Sequence, residues 1–75
     1  MNKELIEIAA NVMHVSFEEA EKHWKEIPEH DAFYFWNPVR GGISVIINEK
    51  KEKLGATSSV SFERHLKAFL DGRRN

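Results

Sequence analysis

Apolar side chains recur at helical spacing in three segments, covering residues 2–13, 16–27 and 62–70. In each segment they fall three or four residues apart, which is typical of an amphipathic helix with one buried stripe. Ser16, with a glutamate three residues later, forms a capping-box pattern that begins the second helix. Pro28 ends that helix, because the residue before a proline avoids helical geometry. The pattern therefore predicts three helices.

Three shorter segments show the period-two alternation of β-strands, at residues 32–37, 43–47 and 53–58. The loops between them are too short for a parallel crossover, so the strands are expected to form an antiparallel meander. The predicted element order is α-α-β-β-β-α. Helices on one face of an antiparallel sheet give a two-layer α+β fold. With 75 residues, the chain is expected to fold as a single domain, residues 1–75.

Four consecutive aromatic residues at positions 33–36 form the most unusual stretch of the sequence. Strand alternation assigns the two phenylalanines to the core, and Tyr34 and Trp36 to the opposite face beside Ile46. Together with Arg40 in the following loop, Tyr34 and Trp36 form a candidate partner-binding site, since aromatic and arginine side chains dominate protein interfaces. Two alternatives remain. In the first, a helix covers this face too or the two rings pack against each other; in the second, the rings stack on nucleobases.

A second candidate site lies at the same end of the predicted meander. The third strand returns to the loop at residues 37–42, which brings the start of the last helix beside that loop. Free N–H groups at a helix start, with hydroxyls and an arginine nearby, favour an anion such as a phosphate or a partner's carboxylate. The candidate anion-binding corner consists of Arg40, Gly41, Gly42, Ser58, Ser59 and Ser61. In the simpler interpretation Ser61 caps the helix, the glycines form a turn and Arg40 is solvated.

Charge is distributed unevenly along the chain. Residues 1–39 hold three lysines against eight acidic residues, a net charge of −5, whereas residues 40–75 hold eight basic against four acidic residues, a net charge of +4. A basic half makes binding of a nucleic acid or a phosphate ligand an alternative function, although the overall basicity typical of such proteins is missing. The sequence contains no cysteine and no long apolar run or signal-peptide pattern, so a cytoplasmic location without membrane insertion is expected.

The sequence contains no catalytic or cofactor motif. Its four histidines have no spacing that metal sites use: His14, His23, His30 and His65. Ser61 and His65 are one helical turn apart, but a third catalytic member is missing. We therefore expect a non-catalytic protein without a cofactor, which binds another protein or forms a homodimer.

Residues 33–70 resemble the short immunity-like domains of bacterial toxin–immunity systems. The resemblance rests on an aromatic strand, a small-residue turn, an apolar strand, a strand of small residues and a capped helix: Phe33-Tyr34-Phe35-Trp36, Gly41-Gly42, Ser44-Val45-Ile46-Ile47, Gly55-Ala56-Thr57-Ser58 and Phe62 to Leu70. The turn at Glu49-Lys50-Lys51 departs from the Asp/Gly turn of that pattern. The resemblance implies a stoichiometric, inhibitory protein-binding role and no catalytic residues.

Overall fold

A computed structural model describes residues 2–38, 42–57 and 59–74 of the chain. This part of the chain contains three helices, four strands and one 3₁₀ turn: α1 (Lys3–Met13), α2 (Phe17–Lys22), β1 (Trp24–Ile27), the turn Pro28–His30, β2 (Ala32–Phe35), β3 (Ile43–Asn48), β4 (Lys53–Thr57) and α3 (Phe62–Leu70). The strands form one antiparallel sheet in the order β1-β2-β3-β4. The α+β class and the antiparallel sheet are confirmed, but the sheet has one strand more than predicted.

Polar residues begin all three helices. The Asn2 side chain accepts a hydrogen bond from a first-turn backbone N–H of α1, and Ser16 and Ser61 do the same for α2 and α3. Each cap satisfies one of the N–H groups that have no partner within the helix. His14 takes a left-handed conformation (φ 58°) at the end of α1, so the chain turns sharply into α2. These helix starts agree with the prediction.

The second helix is much shorter than predicted, because α2 ends at Lys22 and the following residues form β1. Trp24 pairs with Phe35, and Ile27 pairs with Ala32. Trp24 packs with the core under α1, whereas Ile27 packs with the core under α3. Spacing of three residues suggested that both side chains share a helix face. Pairing with the aromatic strand overrides that local pattern and places them on opposite sides of a sheet.

Helices cover both faces of the sheet, so the prediction of two layers is wrong. We call the two sides the α1 face, which α1 and α2 cover, and the α3 face, which α3 covers. The buried core of the α1 face consists of Leu5, Ile6, Ala9, Ala10, Met13, Ala20, Phe35, Val45 and Ile47. The buried core of the α3 face consists of Ile27, Ala32, Ile46 and Phe69. Val45, Ile46 and Ile47 are fully buried in succession, as expected of a strand covered on both sides.

The turn between β3 and β4 is built around Asn48. Its Oδ1 atom accepts hydrogen bonds from the backbone N–H groups of Lys50 and Glu52, each at 3.0 Å. Lys51 takes a left-handed conformation (φ 68°) that normally favours glycine, and its ammonium group lies 2.5 Å from a carboxylate oxygen of Glu4. An exposed ion pair thus joins this turn to the start of α1.

The end of α3 is closed by residues that follow it. Gly72 has a φ of 97°, a left-handed value typical of the residue just beyond a helix. The guanidinium group of Arg74 lies 3.9 Å from the centre of the Phe69 ring, donates to the Phe69 carbonyl and approaches Glu52 at 3.7 Å. Leu70, the last residue of this helix, is 48% exposed.

Candidate functional site

The outer edge of β1 is the feature that the sequence did not predict. The backbone N–H of Trp36 donates to the carbonyl of His23 at 3.1 Å, in continuation of the β1–β2 ladder. Because alternate residues of an antiparallel strand bond to the same neighbour, Lys25 and Ile27 direct their peptide groups to β2. Trp24 and Glu26 direct theirs outward. Within residues 2–38, 42–57 and 59–74, no strand pairs with this outer edge.

An open groove of about 560 Å³ runs along β1 on the α1 face. It is lined by Asn2, Leu5, Trp24, Glu26, Phe33 and Glu49. The rings of Trp24 and Phe33 meet edge to face, with 5.8 Å between their centres and 77° between their planes. Both rings are partly exposed, whereas the carboxylates of Glu26 and Glu49 lie at exposed positions. The groove therefore combines aromatic surface with negative charge.

On the α3 face, Tyr34 is covered and Trp36 lies at the rim. The Tyr34 ring contacts Phe62 of α3 edge to face, with 4.8 Å between ring centres. On its other side it stacks on Trp36, at 5.9 Å and 25°. The Trp36 ring is also 5.9 Å from the imidazole of His23. Both rings are partly buried, so helix covering and mutual packing operate together.

A lysine of β1 extends over this aromatic group. The ammonium nitrogen of Lys25 lies 4.0 Å from the centre of the Phe62 ring and 5.7 Å from that of Tyr34. Such contacts are favourable because a ring face carries partial negative charge. β1 thus presents a cation on the α3 face and the carboxylate of Glu26 on the α1 face.

Ile46 does not belong to an exposed patch. Its side chain is fully buried in the core of the α3 face, between the sheet and α3. The expectation that it lies beside exposed rings is therefore wrong. The cause is α3, which covers Tyr34 and also buries Ile46.

The predicted anion-binding corner is described only in part. Arg40, Gly41 and Ser58 lie outside the described residues. Pairing of Ile43 with Thr57 does bring the end of the loop at residues 37–42 beside the end of β4, as the meander predicted. The site itself stays a prediction.

The described members of that corner already have partners within the chain. The Ser61 hydroxyl accepts the backbone N–H of Arg64 at 3.3 Å, and the Ser59 and Thr57 hydroxyls are 2.7 Å apart. Gly42 packs against Asn37, whose Cβ and Cγ atoms would lie 2.7 Å from an added Cβ. These contacts agree with the simpler interpretation of a helix cap and a tight turn.

Among the described residues, His65 forms a buried polar pair with Ser44 and not with Ser61. The Nε2 atom of His65 lies 2.6 Å from the Leu54 carbonyl oxygen, and its Nδ1 atom lies 3.4 Å from the Ser44 hydroxyl. A carbonyl only accepts, so Nε2 carries the proton. Burial lowers the pKa of His65, and the Leu54 hydrogen bond opposes this in part. His65 is 1% and Ser44 6% exposed, so both side chains are enclosed in the interior.

Two other depressions of the surface offer weaker candidates for a binding site. One of about 310 Å³ is lined by polar residues of two turns: His30, Asp31, Asn48, Glu49, Lys50 and Glu52. Among the described residues, no three His, Cys, Asp or Glu side chains are arranged to hold a metal ion. The other, of about 210 Å³, lies at the β4 edge and is lined by Val12, Ile43, Gly55, Ala56 and Thr57.

The fold and the site define a small α+β protein with an aromatic-flanked sheet edge. Compared with protein-family models, curated proteins and solved structures, the chain shows no significant similarity to any of them. In the described ranges, every helix is too short or too polar to cross a membrane. A function is therefore argued from the geometry of the site.

Proposed function

We propose that this chain is a protein-interaction module that binds an extended segment of a partner protein as an added strand on β1. The observation that carries the proposal is the outer edge of β1, where the peptide groups of Trp24 and Glu26 face outward between partly exposed rings. Strand addition uses main-chain hydrogen bonds for affinity and alternate side chains for specificity. Aromatic residues beside an open edge supply the apolar contact area that such binding needs.

The outer edge of β1 is a better candidate for partner binding than either face of the sheet. α1 covers the centre of one face, and α3 covers the other up to the Tyr34 ring. Sheet proteins that stack nucleobases use an open face with upright aromatic rings. In the described part of the chain, Tyr34 is instead occupied by Phe62 and Trp36.

The proposed partner-binding surface also includes Trp36 and Tyr34. Trp36 lies at the end of β2 nearest to His23 and contributes its exposed rim, whereas Tyr34 holds the Trp36 ring in position by stacking. Arg40, outside the described residues, completes this set as the third partner-binding residue. The proposed role is non-catalytic and stoichiometric, in the cytoplasm, and inhibitory as the immunity-like resemblance implies.

Charge on β1 favours a different protein over a second copy. An antiparallel pair of two β1 strands centred on Lys25 would place two lysines opposite each other, and a pair centred on Glu26 would place two glutamates opposite each other. Like charges directly opposite destabilise a strand pair. Charged edge residues are a common protection against self-association of edge strands. The same charges leave the edge available to a segment of complementary charge.

Selection from a displayed library of random peptides of about ten residues tests the proposal. We expect selected peptides to bind the chain and to protect the amide protons of Trp24 and Glu26 from exchange. Glu26→Pro removes the outward N–H donor together with the carboxylate, and it should abolish binding while the pairing with β2 remains. Trp36→Ala should weaken binding about tenfold, as expected for an interface aromatic residue.

Glu26→Gln is the matched control, since it retains the backbone donor that Glu26→Pro removes. It should still bind selected peptides. Peptides that bind wild type and Glu26→Pro equally, or that protect other amides, would overturn the proposal. Selection of no peptide would overturn it as well, and a dimer whose interface protects the same amides would identify a second copy as the occupant.

Binding of nucleic acid through the basic half stays the alternative. Two cations of this half are already engaged, since Arg74 packs on Phe69 and approaches Glu52, and Lys51 pairs with Glu4. A titration with single-stranded RNA and DNA at low salt separates the alternatives. Binding that falls steeply with salt would support nucleic acid, because released counterions drive such complexes.

A further inference from the structure

We propose that the segment added to β1 inserts a lysine or arginine side chain into the groove beside Trp24 and Glu26. This inference rests on the proposed function and names the chemistry of the partner at that same edge. A strand added to β1 would lie about 4.8 Å away, with successive side chains on opposite faces. Those on the α1 face would therefore enter the groove of about 560 Å³ between β1 and the start of α1.

The groove carries carboxylates that have no cation of their own. In the described part of the chain, ion pairs engage Glu4 with Lys51, Glu19 with His23 and Glu52 with Arg74. Glu26 and Glu49, which line the groove, are in no ion pair there. A cation from a partner would meet two carboxylates without displacing an existing partner.

The aromatic lining suits a cationic side chain with an apolar stem. Trp24 and Phe33 both line the groove, and both rings are partly exposed there. Lysine and arginine bury their methylene groups against such surfaces, and their charged ends are attracted to ring faces. An apolar side chain would use the rings and leave the carboxylates unpaired.

The opposite face of β1 sets a second condition on the partner. The neighbours of the inserted residue would lie on the α3 face beside Lys25, whose ammonium group covers the Phe62 ring. A second cation there would be repelled. The expected signature is thus a basic residue at every second position, with uncharged or acidic residues between. Non-specific attraction to an acidic surface would show no such alternation.

Four synthetic peptides of about ten residues test the inference at about 0.15 M salt. The first alternates Lys with Thr, the second has the same composition with all lysines in one block, and the third and fourth replace Lys by Gln or Glu. Fluorescence anisotropy measures the binding of each. We expect the alternating Lys peptide to bind at least about tenfold more tightly than the other three.

Variants then assign the preference to the groove. The double variant Glu26→Gln with Glu49→Gln should lose the preference for the alternating Lys peptide. The matched control, Glu7→Gln with Glu63→Gln, removes two exposed carboxylates elsewhere and should keep it. A preference that survives in the groove variant, or an equal affinity for the blocked peptide, would overturn the inference.

The two proposals fail separately. If library peptides bind in a manner that Glu26→Pro abolishes, but show no alternating basic residues, the strand-addition function stands and the basic occupant is wrong. If Glu26→Pro changes the binding of no peptide, both proposals are wrong. Absence of binding by all four synthetic peptides also overturns the basic occupant.

Discussion

His65 makes the stability of this protein depend on pH in a predictable direction. Its imidazole is 1% exposed, donates to the Leu54 carbonyl through Nε2 and faces the Ser44 hydroxyl through Nδ1. The second proton of an imidazolium would bring a charge into this enclosed site between α3 and the sheet. Burial therefore holds the pKa of His65 below its ordinary value of 6.5.

The direction of the pH dependence follows from the number of protons that the folded and the unfolded chain bind. At a pH below 6.5 but above the lowered pKa, the unfolded chain binds a proton at His65 that the folded chain does not bind. Stability from the neutral imidazole is thus fully present above pH 6.5 and is lost as the pH falls. The limiting slope for one proton is about 1.4 kcal/mol per pH unit, which is large for a chain of this size.

Urea unfolding, followed by tryptophan fluorescence between about pH 5.5 and 7.5, measures this slope. Glu4 and Glu52 stay ionised in this window, because hydrogen bonds from Lys51 and Asn48 lower the pKa of each carboxyl. His65→Gln retains an Nε2 donor but cannot bind a further proton. The free energy of unfolding of this variant should therefore change less with pH.

The matched control for this variant is His30→Gln. His30 is exposed, and its replacement should leave the wild-type slope unchanged. A stability that rises on acidification would refute the reasoning. An equal slope in wild type and His65→Gln would also refute it, because the proton would then bind elsewhere.

Three substitutions test local geometry by urea unfolding. Gly42→Ala should cost about 1–3 kcal/mol, because the new methyl would lie 2.7 Å from side-chain carbons of Asn37; an unchanged midpoint would contradict this. Lys51→Gly should stabilise by about 0.5 kcal/mol, since relief of its positive φ outweighs an exposed ion pair with Glu4; a clear loss would show that the pair dominates. Ser61→Ala should cost about 1 kcal/mol through the lost α3 cap, and no loss would exclude that role.

Local signals in the sequence predicted the parts of the fold that depend on neighbours along the chain. Caps at Asn2, Ser16 and Ser61 work over two or three residues, so a single sequence reveals them. The strands after residue 31 also agree within about two residues, which is the usual uncertainty of element ends.

β1 could not be predicted in the same way. Trp24 and Ile27 are three residues apart, a spacing that fits one helix face as well as two sides of a short strand. The choice depends on Phe35 and Ala32, which lie across the sheet and are distant in the chain. A stronger signal was available in β3, where Val45, Ile46 and Ile47 form an unbroken apolar run. Such a run indicates covering on both faces and would have predicted the third layer.

The location of the candidate site changes with this one strand. With Trp24 in a helix, as predicted, the aromatic run at residues 33–36 would occupy an edge strand, and the candidate partner-binding rings would lie on its second face. With β1 in place, β2 is internal and α3 covers most of that second face. On the β1 side of the described sheet, the outward peptide groups are those of Trp24 and Glu26, and rings of β2 lie on either side of this edge. Aromatic residues that cannot all be buried therefore mark the neighbourhood of the proposed site, while the backbone of the preceding strand provides the binding edge.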